Sequence, residues 1–304
     1  MRKSTSIKIL VVVVGIALFA TAGYFARLYL NNRNSSVVQA TPTPIPETPT
    51  ATPIPTPTPR PSPTASAGAT TPTPKLATRM EYVLQQLTDA GFNPVQVTQV
   101  LTDPRLKLYP IKQVAYKEPD WNAIKLKLYA PDFVQKGKDY IVANQTVFDN
   151  AERDFGVPKE VLAGVIAIET EFGANSGSTL TFNALYSRMQ QWPETTWQYQ
   201  AAQLVALATY CLNSQTDCFT IKGSYAGALG IVQFMPISLL NYGIDGNKDG
   251  VIDLYNPADA IPSEANFLAR HNWQGDHIAT LTAYYGRSEG YPEIVLAYAV
   301  LLTQ

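Results

Sequence analysis

Between Thr41 and Pro74 the chain runs through Thr-Pro pairs ("TPTPIPETPTATPIPTPTPRPSP…TTPTP") with no aromatic residue and almost no charge. Such a stretch cannot bury enough apolar surface to offset the entropy of folding, so it stays extended in a polyproline-like form. At about 3.1 Å per residue its reach is on the order of 100 Å. A globular fold must come from Lys75 to Gln304, which is long enough to bury a full core.

The segment on the N-terminal side of this stretch sets the compartment. Arg2, Lys3 and Lys8 lead into an unbroken non-ionic run of 18 residues, Ile9 to Ala26, enough to cross a bilayer as a helix. The charge bias predicts an N-in, C-out orientation. A cleavable signal peptide fits the same charges, with Ala20-Thr21-Ala22 as the cleavage site. Apolar and aromatic residues continue to Leu30, which favours a retained anchor. The expected organisation is a cytoplasmic N-terminus over 1–8, an anchor over 9–30, a Thr/Pro-rich stalk over 31–74 and one folded domain over 75–304. The protein is then a single-pass protein of the cell membrane with its domain outside the cytoplasm, or a secreted one if the signal is cut. No cysteine stands directly after the apolar run, so no attachment point for a lipid anchor is expected there.

Outside the cytoplasm, Cys211 and Cys218 are expected to pair, although two buried thiols would also satisfy the sequence. A formal net charge of −1 with no basic run argues against nucleic-acid binding.

Helical periodicity dominates the domain. "MEYVLQQLTDAGF" and "NPVQVTQVLTD" read as two helices, while 104–138 has no regular pattern. "DYIVANQTVFDNAERDFG" reads as one helix with Ile141, Asn144, Phe148, Ala151 and Phe155 on a single face, ending at Gly156. Pro158 opens the next helix at a first-turn position, "WQYQAAQLVALATYCL" is a long helix, and three more fall near 258–271, 278–285 and 292–302. No strand alternation is sustained. The fold class is mainly α.

The helix after Pro158 is apolar on all sides from Val161 to Ile168 and then places Glu169. An all-apolar helix is central, and desolvation there raises a carboxyl toward a general acid usable near neutral pH. A buried glutamate paired with an arginine or capping a helix end is the bland alternative. Glycosidases usually oppose two carboxylates across a bond, yet Glu171, two residues on, points elsewhere. Glu169 therefore reads as a lone acid.

In "GSYAGALGIVQFMP", 223–236, Gly223, Gly227 and Gly230 permit close backbone approach, while Ser224, Tyr225 and Gln233 bring neutral polar groups suited to a sugar or amide. Tight packing between helices would explain the glycines but not Gln233. The serine lacks nucleophile-elbow spacing. His271 and His277 are the only histidines and lie in no metal motif, which argues against a serine triad or a zinc peptidase. "DGNKDGVIDLYNPAD" places Asp245, Asn247, Asp249, Gly250, the Val251 carbonyl and Asp253 at positions one, three, five, six, seven and nine of a calcium loop. Position twelve is Asn256, and Asp259 stands three further on. An Asx-rich turn without an ion is the other reading.

Together these motifs resemble the lytic murein transglycosylases of the membrane-bound type B. The resemblance runs through the Phe155–Pro158 entry, the "ETEFG" that ends at Gly173, the "GSYAGALGIVQFMP" block, the loop whose first and last acids stand fourteen apart, "NPADAI", and Asn266 to Trp273. It implies a lysozyme-like (goose-type) fold with an extra helical lobe and an EF-hand-like loop. It also implies peptidoglycan glycan strands as substrate, cleaved between N-acetylmuramic acid and N-acetylglucosamine to leave 1,6-anhydro ends, with Glu169 the single acid and base. By the same resemblance Ser224, Tyr225, Gln233, Tyr285 and Phe267 contact substrate, and a structural Ca²⁺ is held by Asp245, Asn247, Asp249, Val251 and Asp259, with no organic cofactor. Departures from the family pattern stand at Ile124 (commonly tyrosine), Gly286 (asparagine), Phe267 (tyrosine) and 192–197, where arginines are missing. Hydrolysis of the same bond and non-catalytic wall binding are the alternative functions.

Overall fold

The structure is a computed structural model and describes residues 78–111, 118–286 and 290–304. The expected cytoplasmic segment, anchor and stalk lie outside the described residues. Among the described residues no helix is long and apolar enough to cross a membrane.

The chain folds into helices α1 (Thr78–Asp89), α2 (Pro94–Leu101), α3 (Trp121–Leu128), α4 (Pro131–Ala143), α5 (Gln145–Phe155) and α6 (Lys159–Thr170). A short strand β1 (Thr179–Leu180) leads to α7 (Thr181–Gln191) and α8 (Trp197–Ser214), and strand β2 (Lys222–Gly223) precedes α9 (Pro236–Tyr242), α10 (Pro257–Arg270), α11 (His277–Tyr285) and α12 (Tyr291–Thr303). The mainly helical expectation holds. The strands pair antiparallel, Thr179 with Gly223 and Leu180 with Lys222. They are too short to produce an alternating pattern.

Every residue of α6 from Val161 to Thr170 is buried, as an all-round apolar helix requires. It packs against α3, α4, α5, α10 and α12. Gly164 allows α12 to come close, since a Cβ there would stand 3.2 Å from the Val295 carbonyl oxygen. On the other side of the molecule, α1 packs on α2 and α8, and α7 on α8, while α9 touches both α8 and α10.

Two details differ from the sequence expectation. The helix read across 139–155 is broken at Asn144, where α4 ends and α5 begins. The Asn144 Nδ2 donates to the Tyr140 carbonyl at 3.0 Å, and such a local bond competes with continued helix. The irregular stretch before it contains α3 and most of α4, both short and only partly apolar. Pro158 stands just before the first turn of α6, as its N-cap residue, rather than within it. Gly156, at φ +69°, ends α5 as expected.

Candidate active site

Glu169 lies in the last turn of α6 and is 8% exposed. Beyond Thr170 the backbone turns through two non-glycine residues at positive φ, Glu171 (+53°) and Phe172 (+63°), a sparsely populated region for such side chains. The turn is held by the Thr170 hydroxyl, which donates to the Ile231 carbonyl at 2.7 Å and accepts from the Gly173 N–H at 3.0 Å. The end of α6 is thereby tied to the 223–236 segment. Glu171 leaves the site altogether and pairs with Lys127 at the surface, so the two neighbouring acids have separate fates.

The Glu169 Oε1 accepts a hydrogen bond from the Tyr291 hydroxyl at 2.8 Å. Burial raises its pKa to about 7, and the Tyr291 bond opposes that rise by favouring the ionised form. No cation pairs with it among the described residues, so the bland reading of a salt-bridged core glutamate does not apply. Replacing Tyr291 by Phe removes the opposing bond. The basic limb of the activity profile is then expected to move up by on the order of one pH unit, which a pH–rate series on the two proteins would measure. An unmoved limb would sink the assignment of Tyr291 as the hydrogen bond that sets it.

Tyr291 also belongs to an aromatic wall that the helical pattern did not announce. Its ring stacks on Tyr285 with centroids 4.6 Å apart and planes 9° apart, and Trp121 meets Tyr285 edge-on at 5.6 Å. Gly290 makes room for the indole, since a Cβ there would lie 2.8 Å from it. Only the alternation of Tyr and Gly around 284–291 could have marked this wall in the sequence. Gly286, one of the departures from the family pattern, takes φ +85° as the cap residue of α11. Asparagine is the other residue that enters this conformation readily. Ile124 packs half-buried against the core.

The 223–236 segment folds as a compact turn. The Ser224 N–H donates to the Ala228 carbonyl at 2.9 Å, the Ala228 N–H donates back to the Ser224 hydroxyl at 3.0 Å, and Gly227 sits at φ +98° against Leu185. Gly177 must lack a side chain because a Cβ would fall 2.1 Å from the Gly223 carbonyl oxygen. Ser224 is nearly buried, whereas Tyr225 is 46% exposed. Gln233, at φ +51°, donates from Nε2 to the Gly230 carbonyl (2.7 Å) and the Ser176 carbonyl (3.2 Å). Its Oε1 is buried without a partner, an exception among buried polar atoms, which are normally hydrogen-bonded. Phe267 is placed differently from the sequence expectation. It is 6% exposed, stacks on His271 at 3.9 Å and packs against Phe234, Tyr242 and Tyr284, so its ring serves the core.

Sequence reasoning missed a second carboxyl. Glu264 of α10 is fully buried and neither of its oxygens has a hydrogen-bond partner. Burial, reinforced by the charge of Glu169, holds its pKa well above the usual carboxylate range. It is surrounded by core rather than cleft and so cannot face Glu169 across a substrate bond.

In the 245–259 loop, Asp245 accepts from the Gly250 N–H at 2.8 Å and the Asp249 N–H at 3.1 Å, and Asn247 accepts from the Asp249 N–H at 2.9 Å. Gly250 takes φ +92° at the sharp turn. Asp259 is fully buried, and its two oxygens accept from the Gly246, Asn247 and Asp253 N–H groups. The donors offered are all hard oxygens, which suits calcium. Among the described residues, however, no three His, Cys, Asp or Glu side chains converge at metal-binding distance. The loop is closed instead by its own hydrogen bonds around Asp259. The Ile231 N–H donates to the Leu254 carbonyl at 2.9 Å, joining this loop to the 223–236 turn and through it to Glu169. Cys211 and Cys218 form a disulfide with Cα atoms 5.6 Å apart. A cavity of about 520 Å³ between α8 and the loop, lined by Tyr210, Leu239, Ile252 and Tyr255, does not include Glu169.

Comparison with known proteins gives a consistent result. Residues 76–287 match the family described as the transglycosylase SLT domain. The chain is 30% identical over 225 residues to the membrane-bound lytic murein transglycosylase B of Escherichia coli, a match covering 70% of this chain and 62% of that protein's length. The structure of the E. coli lytic transglycosylase Slt35 in complex with bulgecin A is similar, with a TM-score of 0.64 at 22% identity, over 74% of this chain and 93% of that one. Slt35 in complex with calcium matches with a TM-score of 0.63 at the same identity and coverage. Soluble lytic transglycosylase SltB1 of Pseudomonas aeruginosa matches with a TM-score of 0.66 at 21% identity, over 75% and 98% of the two chains. At such identities the structures speak for the fold, which is that of lysozyme-like lytic transglycosylases.

Proposed function

The chain belongs to the transglycosylase SLT domain family, and from that premise we propose that it is a peptidoglycan lytic transglycosylase with Glu169 as its single acid and base. The observation that carries this reading is one buried carboxyl, raised to about 7, at the end of the central helix. Around it stand the Trp121–Tyr285–Tyr291 wall and the Ser224–Gln233 turn.

In the proposed reaction the Glu169 carboxyl gives its proton to the glycosidic oxygen as the bond from that oxygen to C1 of N-acetylmuramic acid breaks. The sugar's acetamide shields the developing cation. The Glu169 carboxylate then removes the proton from the 6-hydroxyl as O6 bonds to C1, which closes the 1,6-anhydro ring and restores the acid. No water enters and no proton is gained or lost overall. A pKa near 7 suits a group that must act in both directions. Hydrolysis would call for a second carboxylate facing the substrate or a held water; among the described residues Glu264, whose charge is coupled to Glu169, is inside the core, and Glu171 is turned away onto Lys127. Mass spectrometry of a peptidoglycan digest by the full-length chain is the test. Anhydro-ended fragments are expected; reducing ends would make the protein a hydrolase. Retention on the wall with no fragments would make it a binding protein.

Tyr225, Tyr285 and the free Gln233 Oε1 are the proposed sugar contacts, with Ser224 shaping the turn. Asp245, Asn247, Asp249, the Val251 carbonyl and Asp259 would hold a calcium ion whose part is to stiffen the loop against which Ile231 rests. Calcium is then expected to raise the melting temperature. The gain is about 2.7 kcal/mol at a hundredfold excess over Kd, and Asp249→Ala should remove it. A melting temperature indifferent to calcium and to a chelator would make the loop an ion-free Asx turn. The proposed placement is an anchor over 9–30 and a stalk over 31–74, carrying the domain toward the wall outside the membrane.

A further inference from the structure

One buried cation has no assigned role. Arg188, in the last turn of α7, is 5% exposed and lies within hydrogen-bond or ion-pair distance of no carboxylate among the described residues. Its Nε donates to the Gln200 Oε1 at 3.3 Å, and its guanidinium lies over the Trp192 ring at 4.3 Å. Glu194, close in sequence, is already paired with Arg79. A guanidinium taken out of water without a counter-ion is costly. A stacked ring and one neutral acceptor leave most of its five donors unused. Burial lowers its pKa, while the phenols of Tyr199 and Tyr225 are the titratable groups that feel its charge.

Its position gives the cation a use. Leu185, three residues earlier on the same helix face, is the side chain against which Gly227 packs, its Cδ2 2.4 Å from where a Cβ would be. Arg188 therefore lies alongside the Ser224–Gly227 turn, next to the exposed Tyr225 ring. We propose that Arg188, with Tyr225 as its outer edge, is a subsite for a carboxylate carried by the glycan strand as it crosses the 224–227 turn. The ligand is an anion on the substrate rather than the sugar ring, and guanidinium is the side chain that binds carboxylate bidentately. Two parts of peptidoglycan carry that chemistry: the peptide stem, and the lactyl group once the stem is removed. The proposal rests on peptidoglycan being the substrate, but its test does not need turnover.

The test is a binding cycle in the full-length Glu169→Gln background, read by co-sedimentation. Binding is measured for peptidoglycan as isolated and for peptidoglycan whose carboxyls have been converted to amides, each with Arg188 and with Arg188→Gln. A charge-assisted hydrogen bond predicts that either change alone weakens binding roughly 10- to 100-fold. The two together should weaken it no further than one. Additive losses, or no loss on amidation of the substrate, would overturn the proposal. The amidation arm stands even if Arg188→Gln fails to fold, because it uses the unaltered arginine. Arg188→Lys should recover part of the binding to native wall and none to amidated wall. Glycan stripped of its peptides separates the sources: coupling that persists assigns the lactyl carboxylate, and coupling that disappears assigns the stem. Normal binding in this cycle with no fragments from the unsubstituted chain would defeat the catalytic reading and leave the subsite standing.

Discussion

Glu169→Gln is expected to lower the release of soluble glycan fragments by at least 10²- to 10⁴-fold, the usual contribution of a positioned acid or base. The amide keeps the shape of the side chain and can still accept from the Tyr291 hydroxyl, so fold and substrate affinity should survive. What it cannot do is hand over a proton and take one back. The pH dependence of the unsubstituted protein carries the same information. In the proposed mechanism Glu169 begins each turnover protonated, and its pKa is raised to about 7. Activity should therefore hold on the acid side and fall as pH rises through about 7. Chromatography of fragments from purified peptidoglycan measures both. Activity near that of the unsubstituted chain in the Gln variant would remove Glu169 from the mechanism.

Glu264→Gln is expected to stabilise the fold, with a gain that depends on pH. A carboxyl whose folded pKa lies above its unfolded value binds a proton on folding. It therefore costs no stability below the unfolded pKa of about 4.5, and an increasing amount as pH rises toward the folded pKa. Glu264 is fully buried and unpaired, and the Glu169 charge pushes in the same direction. The difference between the two proteins therefore widens steadily as pH climbs from the unfolded value toward the raised folded one. The neutral amide carries no such cost. Urea unfolding of both proteins between pH 4.5 and 7 should show two curves that start together and diverge. Parallel curves would mean that Glu264 is ionised with a partner, contrary to the packing.

Glu169 and Glu264 differ in how well the sequence announces them. Glu169 ends an uninterrupted apolar run, and a helix with no polar face has only one place to go, so its burial is legible in the sequence alone. Glu264 sits in "PSEANF", a stretch whose polar letters suggest a surface. Its burial follows from α10 packing against α5 and α6, segments that lie far away along the chain. Tyr291 is hidden for the same reason. Nothing local distinguishes it from Tyr284 or Tyr285 until α12 closes on α6 at Gly164 and brings its hydroxyl to the acid. Phe267 is misplaced by a sequence reading because an aromatic next to motif residues reads equally well as a contact or as core.

By itself the sequence determined the properties that depend on near neighbours. Apolar residues on every side of 161–168 make that helix central, and Asx spacing with Gly250 draws the 245–259 loop into a turn. Tertiary structure decided which groups meet. It put one raised carboxyl at the end of the central helix and a second in the core, separated Glu171 from Glu169 by a turn through positive φ, and, among the described residues, left Arg188 without a counter-ion beside Tyr225. The physical reason is range. Propensity, capping and turn geometry act over a few residues and can be read along the chain. Desolvation and charge act through space, among side chains that only the packed helices bring together.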